Sequence, residues 1–127
     1  MSETIRDVTE ALFNDMMKRT DKVVVVEFWS PGCSVCQMMA PTYEQVAEEM
    51  QAEAQFVRVN TDANTQMAVR SGVTGTPTFM IFCKEGKVGE IIGLTSATML
   101  RNTIRDLIKY QVGCPRTKMN YEMDGYG

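Results

Sequence analysis

The run KVVVVEFW, residues 22–29, is apolar on both of its alternating faces. A β-strand without a polar face has to be covered on both sides, which indicates a central strand between two layers of helices. Directly after this run, from about Ser34, the apolar residues recur at helical spacing. A buried strand that leads into a helix predicts an α/β fold with parallel crossover connections.

The rest of the chain alternates in the same way. Thr9 is placed to cap a first helix in which Leu12, Phe13, Met16 and Met17 share a face. Further strands are predicted over 55–60, 78–83 and 88–92, and further helices start near 65 and 95. The loop KEGK joins the last two strands as a hairpin. The order (β)αβαβαββα predicts a mixed central β-sheet flanked by helices on both faces.

The domain boundaries follow from where these patterns stop. We expect one domain over residues 1–112, because the apolar spacing fades at Gly113. Residues 113–127 contain few aliphatic side chains and are expected to form a mobile tail. Pro41 falls inside the helical pattern that starts at Ser34, and the spacing resumes beyond it, so we expect a kink there rather than a helix end.

Cys33 and Cys36 stand three residues apart at the strand-to-helix junction. The unpaired N–H groups and the dipole of the first helical turn favour the thiolate, which is the reactive form of cysteine. A three-residue spacing also lets the two sulfurs close into a disulfide. We therefore expect Cys33, at the end of the turn, to attack, and Cys36, one turn further in, to resolve.

Two other interpretations of this pair stay open. The chain has four cysteines, the number for a zinc site, but Cys83 and Cys114 are single and do not form a second C-x-x-C. In the other interpretation, the two cysteines are small buried residues of a binding module and carry out no redox chemistry. No histidine is present, which excludes mixed Cys/His zinc sites and Cys-His nucleophiles. We expect Cys83 to be a buried structural thiol. For Cys114, in the tail, we favour no role over a third redox thiol or a mixed disulfide.

One acidic and one basic residue interrupt otherwise apolar strands. Glu27 lies in the central strand six residues before Cys33, where burial should raise its pKa. A carboxyl group there is placed to take the proton from Cys36 and to return it in the reverse reaction. Arg58, in FVRVN, is expected either to pair with Glu27 or to extend its head group into solvent.

Composition and charge limit the partners. The formal net charge is −3 without a basic stripe, which argues against nucleic acid and anionic membranes as partners. The amino terminus is polar and shows no signal-peptide pattern, so we expect a cytoplasmic protein, where a C-x-x-C is more often catalytic or metal-binding than a structural disulfide. No glycine-rich phosphate loop follows a strand, and we expect no cofactor.

Over roughly Ile5 to Tyr110 the chain resembles the thioredoxin family. The matching features occur in order along the chain: the acid in VVVVEFW, the C-x-x-C followed by QMMAP, then VNTD, VTGTPTF, the glycine hairpin and IIGL. The resemblance implies a thioredoxin fold and a thiol–disulfide oxidoreductase that reduces disulfides in target proteins. Because nothing in the sequence binds a nucleotide or flavin, we expect a separate electron donor of the thioredoxin reductase type to recharge the oxidised form, and we expect a monomer. A disulfide oxidase or isomerase is the remaining alternative.

The resemblance also assigns residues around the dithiol. The bond Thr76–Pro77 maps to a cis proline that turns the preceding backbone toward an extended substrate, and Gly93 maps to a glycine that leaves room for it. Trp29 matches the family's upstream tryptophan, and Trp29 and Gly32 are also expected to contact the substrate. Where typical members have W-C-G-P-C, this chain has Gly32 before the first cysteine and no proline between the two.

The dipeptide Ser34-Val35 leaves one more backbone N–H free in the first turn than a proline does. Hydrogen bonds to the Cys33 thiolate stabilise the reduced form, so we expect a less reducing couple than is typical of the family.

Overall fold

The computed structural model describes residues 5–110 of the 127-residue chain. The sequence-predicted tail over 113–127 lies outside these residues and stays a prediction. The described residues form nine elements in the order expected from the sequence: β1 Ile5–Asp7, α1 Glu10–Arg19, β2 Val23–Trp29, α2 Ser34–Glu49, β3 Ala54–Asn60, α3 Thr65–Ser71, β4 Thr78–Cys83, β5 Gly86–Ile92 and α4 Ala97–Tyr110.

The five strands form one mixed sheet in the order β1-β3-β2-β4-β5. Strands β1, β3 and β2 run parallel, whereas β4 and β5 are antiparallel to their neighbours. The valine-rich strand β2 is central, as its apolar pattern predicts. The antiparallel pair is the KEGK hairpin, and its second strand begins at Gly86, two residues earlier than expected.

Side chains of β2 alternate between two hydrophobic clusters. Val23 and Val25 pack with α2 and α4 on one face of the sheet, and Val24, Val26 and Phe28 pack with α1 and α3 on the other. Since alternate residues share a face, Glu27 lies on the same face as Val25, beneath α2. The two-layer cover that the sequence predicts is therefore confirmed, and it places a carboxyl group in the interior.

Helix α1 is capped as predicted, since the Thr9 hydroxyl accepts a hydrogen bond from the Leu12 N–H. The predicted face is wrong at Leu12, which is 48% exposed. Phe13, Met16 and Met17 contact the core at the i, i+3, i+4 spacing, and Leu12 lies at the edge of that stripe. Helix α2 runs through Pro41 without ending, as the sequence indicates. Within residues 5–110, no helix has both the length and the apolar character needed to cross a membrane.

Candidate active site

The two cysteines of the C-x-x-C lie where β2 gives way to α2. Cys33 is the N-cap residue of α2, and Cys36 occupies the third position of its first turn. Their Cα atoms are 5.2 Å apart and their sulfurs are joined in a disulfide. The chain therefore brings the pair into bonding distance through the local geometry of one helical turn.

The two sulfurs have different surroundings. The backbone N–H of Cys36 donates to the Sγ of Cys33 at 3.1 Å, as an N-cap acceptor requires. Cys33 is partly exposed, whereas Cys36 is only 5% exposed. A partly exposed sulfur at a helix N-terminus meets the conditions for a stabilised thiolate, and a buried one three residues further along does not.

The loop before β4 covers the dithiol from the side. Thr76–Pro77 is a cis peptide bond, as the family resemblance implies, and the Thr76 carbonyl oxygen lies 3.5 Å from the Sγ of Cys33. The hydroxyls of Ser30 and Thr76 are within hydrogen-bond distance, at 3.4 Å. These contacts bring the loops of Ser30 and Thr76 together beside the partly exposed sulfur of Cys33.

Gly93 follows β5 and donates its N–H to the carbonyl of Pro77 at 2.8 Å. Its φ of +85° is a conformation that side-chain-bearing residues rarely adopt. A Cβ atom at Gly93 would meet nothing within 4 Å, and neither would one at Gly32. Of these two positions, Gly93 requires glycine because of its backbone conformation, and Gly32 does not. Both positions leave open space near the dithiol.

Glu27 is buried to 2% exposure on the α2 face of the sheet. Its nearest cationic partner is Arg58, whose Nε lies 3.4 Å from Glu27 Oε1, so the predicted pairing is confirmed. Burial nevertheless dominates and raises the pKa of Glu27 from 4.5 to about 7, although the Arg58 charge lowers it. A carboxyl group with this pKa can both accept and return a proton near neutral pH.

Asp7 and Tyr43 belong to the same site but were missed by sequence reasoning. Asp7 lies at the end of β1, with its Oδ2 3.7 Å from Nη1 of Arg58. Tyr43, on α2, donates to the backbone carbonyls of Val25 at 3.1 Å and Val57 at 2.8 Å. In the sequence, Tyr43 could be recognised only as one apolar position of a helix. Asp7 is a single acidic residue before the first predicted helix, and nothing in the sequence pointed to a role for it.

Trp29 points toward these charged groups. Its Nε1 donates to Asp7 Oδ1 at 2.9 Å, and the Arg58 Cζ lies 4.3 Å from the ring centroid, a cation–π arrangement. The ring is partly buried at the end of β2. Trp29 therefore contacts the charged pair Asp7 and Arg58, and its expected role in substrate binding stays a prediction.

Cys83 lies apart from this site, at the far end of β4. Cys83 is buried, as expected, but it is disulfide-bonded, so the prediction of a structural thiol is right in its burial and wrong in its chemical state. Cys114 lies outside the described residues. Within residues 5–110, no group of three or more Cys, Asp or Glu side chains is placed to hold a metal ion.

Known proteins resemble this chain over almost the whole described region. Residues 4–106 match the sequence model of the family described as Thioredoxin. Thioredoxin 1 of Nostoc sp. is 36% identical over 97 residues, which cover 76% of this chain and 91% of that protein. Thioredoxin of Porphyra purpurea is 33% identical over 105 residues, covering 83% of this chain and 98% of that protein.

A solved structure agrees with these sequence matches. The thioredoxin of Malassezia sympodialis superimposes with a TM-score of 0.74 at 25% identity, over 82% of this chain and 90% of that one. The fold, the position of the C-x-x-C and the sequence relatives lead to one conclusion: the chain belongs to the thioredoxin family and is a thiol–disulfide oxidoreductase with a Cys33–Cys36 pair.

Proposed function

We propose that the chain reduces disulfides in other proteins through a dithiol–disulfide cycle in which Cys33 attacks and Cys36 resolves. The observation that carries the proposal is the asymmetry of the pair: Cys33 is accessible and accepts a helix N-terminal N–H at 3.1 Å, while Cys36 is buried. A nucleophile has to be both accessible and thiolate-like, and only Cys33 meets both conditions.

The cycle balances as two exchange steps. The Cys33 thiolate attacks one sulfur of the target disulfide, forming a mixed disulfide and releasing one target thiolate. Cys36 then transfers its proton to Glu27 and attacks the Cys33 sulfur, and the second target sulfur leaves and is protonated. The target gains two electrons, and the Cys33–Cys36 pair loses them.

The surroundings of Cys33 support the binding of an extended target segment. The Thr76 backbone, with its carbonyl 3.5 Å from the sulfur, is placed to pair with such a segment, and the open space at Gly93 and Gly32 leaves room for it. Ile92 and Leu94, on either side of Gly93, are more than half exposed and offer apolar contacts. Pro77 and Trp29 complete the predicted binding set, with Arg58 and Pro41 as structural support.

A separate reductase of the thioredoxin reductase type serves as electron donor in this scheme, and the working state is a monomer. The cycle would run in the cytoplasm, where thiols are kept reduced. No resident cofactor is needed, because the electrons are carried by the two sulfurs.

The test is trapping from cell extract combined with a turnover assay. Cys36→Ser should accumulate mixed disulfides through Cys33, and wild-type protein should reduce insulin with dithiothreitol as donor. Cys33→Ser is the matched control and should do neither. A Cys33→Ser variant that traps targets as well as Cys36→Ser would contradict the role assignment. Wild-type protein that binds zinc stoichiometrically when reduced and shows no turnover would favour a metal-binding module.

A further inference from the structure

Three charged side chains form a row across the parallel strands β1, β3 and β2. Asp7 pairs in register with Arg58, and Arg58 pairs in register with Glu27. Paired residues of neighbouring strands point to the same face, so the guanidinium group lies between two carboxyl groups. Its contacts are 3.7 Å to Asp7 and 3.4 Å to Glu27, and both are longer than a close charge-assisted hydrogen bond.

Asp7 uses its two oxygens for different partners. Oδ1 accepts from the Trp29 indole at 2.9 Å, and Oδ2 faces Arg58. Arg58 in turn lies over the Trp29 ring. Arg58 is therefore confined by the ring and by two carboxyl groups, and Asp7 contacts both the ring and the guanidinium.

We propose that Asp7 is a positioning residue for thiol–disulfide exchange: it holds the Arg58 guanidinium away from a close ion pair with Glu27 and fixes the Trp29 ring beside it. This inference rests on the proposed function, in which Glu27 takes the proton of Cys36. A carboxylate in a close pair with arginine is a weak proton acceptor, because the cation stabilises its ionised form. By sharing Arg58, Asp7 keeps Glu27 basic enough for that transfer.

The other groups that face Glu27 come from α2. Tyr43 and Glu44 line the same small cavity as Glu27, Asp7 and Arg58. Burial raises the pKa of the Tyr43 hydroxyl well above its usual value, so it stays neutral in the range concerned. Cys36, also on α2, is the proton donor of the proposed step. Asp7 and Arg58 act in opposite directions, since the Asp7 charge raises the pKa of Glu27 and the Arg58 charge lowers it.

The test replaces Asp7 by asparagine, which removes the charge but keeps an oxygen for the Trp29 indole. The side-chain carboxyl carbon of Glu27 is followed by NMR against pH in the reduced protein. We expect the midpoint to fall by roughly half to one pH unit, because the freed guanidinium can close on Glu27. The acid limb of the disulfide-reduction rate should move to lower pH with it. Asp7→Glu keeps the charge and should retain a midpoint near that of wild type.

Asp15→Asn is the matched control, because Asp15 pairs with Arg19 on α1 and its loss changes the net charge equally. An unchanged midpoint in Asp7→Asn, or an equal fall in Asp15→Asn or Asp7→Glu, would overturn the proposal. A midpoint that falls while the rate profile stays in place would also overturn it. Wild-type protein that reduces no disulfide would instead refute the proposed function, and the NMR midpoints would still measure the coupling of Asp7 to Glu27.

Discussion

Arg58 and Glu27 lie side by side in register on adjacent parallel strands, with Nε and Oε1 3.4 Å apart, and yet the acid is not held in its charged form. Glu27 is 2% exposed. The free energy needed to remove its negative charge from water is larger than the attraction between that charge and the shared Arg58 guanidinium. The result is an acid whose pKa is raised to about 7, beneath the helix that carries both cysteines.

Replacing Glu27 by glutamine should change the pH dependence of stability. Because the pKa of Glu27 rises from 4.5 to about 7 on folding, the folded state binds more protons between these values. The contribution of Glu27 is therefore fully present below about pH 4.5 and is lost as the pH rises through about 7. Glutamine cannot ionise. The free energy of unfolding of Glu27→Gln, relative to that of wild type, should therefore be about 2 to 3 kcal/mol larger at pH 8 than at pH 5.

This difference is measured by urea unfolding of both proteins at the two pH values. Glu48→Gln, an exposed position on α2, is the control and should follow wild type. The prediction is contradicted if the free energy of unfolding changes equally in wild type and in Glu27→Gln between pH 5 and pH 8. Equal changes would show that Glu27 ionises without cost to stability.

Removing the shared cation should move the Glu27 midpoint in the direction opposite to Asp7→Asn. Arg58→Met deletes the charge that lowers the pKa of Glu27, so the midpoint should rise above about 7. The same carboxyl NMR titration measures it. Arg101→Met is a matched control, because Arg101 pairs with Glu49 at 2.7 Å between α4 and α2. Equal midpoints in the two variants would contradict the assigned effect of Arg58.

The reduction potential should be less negative than the value of about −270 mV that is the usual figure for thioredoxin. Cys33 already accepts the N–H of Cys36, and Val35 supplies a further N–H in the same turn, where typical members have proline. Val35→Pro should lower the potential by roughly 20 mV, since one such hydrogen bond contributes about 1 kcal/mol.

Equilibration with glutathione buffers of known composition measures both values. Val35→Ala keeps the N–H and serves as the control. A wild-type potential at or below about −270 mV would contradict the first expectation, and equal potentials for the proline and alanine variants would contradict the second.

Gly93→Ala should reduce both stability and the affinity for protein substrates. Alanine at a φ of +85° is strained by about 1 kcal/mol, and its methyl group projects into the open space beside Pro77. Urea unfolding measures the first effect, and the KM for insulin compared with that for a small aromatic disulfide measures the second. Gly32→Ala, which also projects into open space but has no left-handed φ, should keep its stability. Equal stability losses in the two variants would refute the backbone explanation.

Local pattern was enough to predict most of the fold. The apolar run of β2 predicted a covered central strand, and helical spacing after Ser34 predicted α2 with Cys33 and Cys36 in its first turn. These features depend on residues close together in the chain, where periodicity and the helix terminus determine geometry. The acid in β2 could also be recognised, because a charge within a doubly buried strand is costly wherever the strand lies.

The tertiary structure decided the surroundings of that acid. Asp7, Arg58 and Glu27 are far apart in the sequence, and only the order β1-β3-β2 and its register put them in one row. Sequence reasoning offered Arg58 two outcomes and assigned no role to Asp7, because a single charge does not reveal which strand will lie beside it. The sequence by itself therefore determined the dithiol and its helix, while strand pairing decided which charges set the proton affinity of Glu27, since electrostatic effects depend on distance in space.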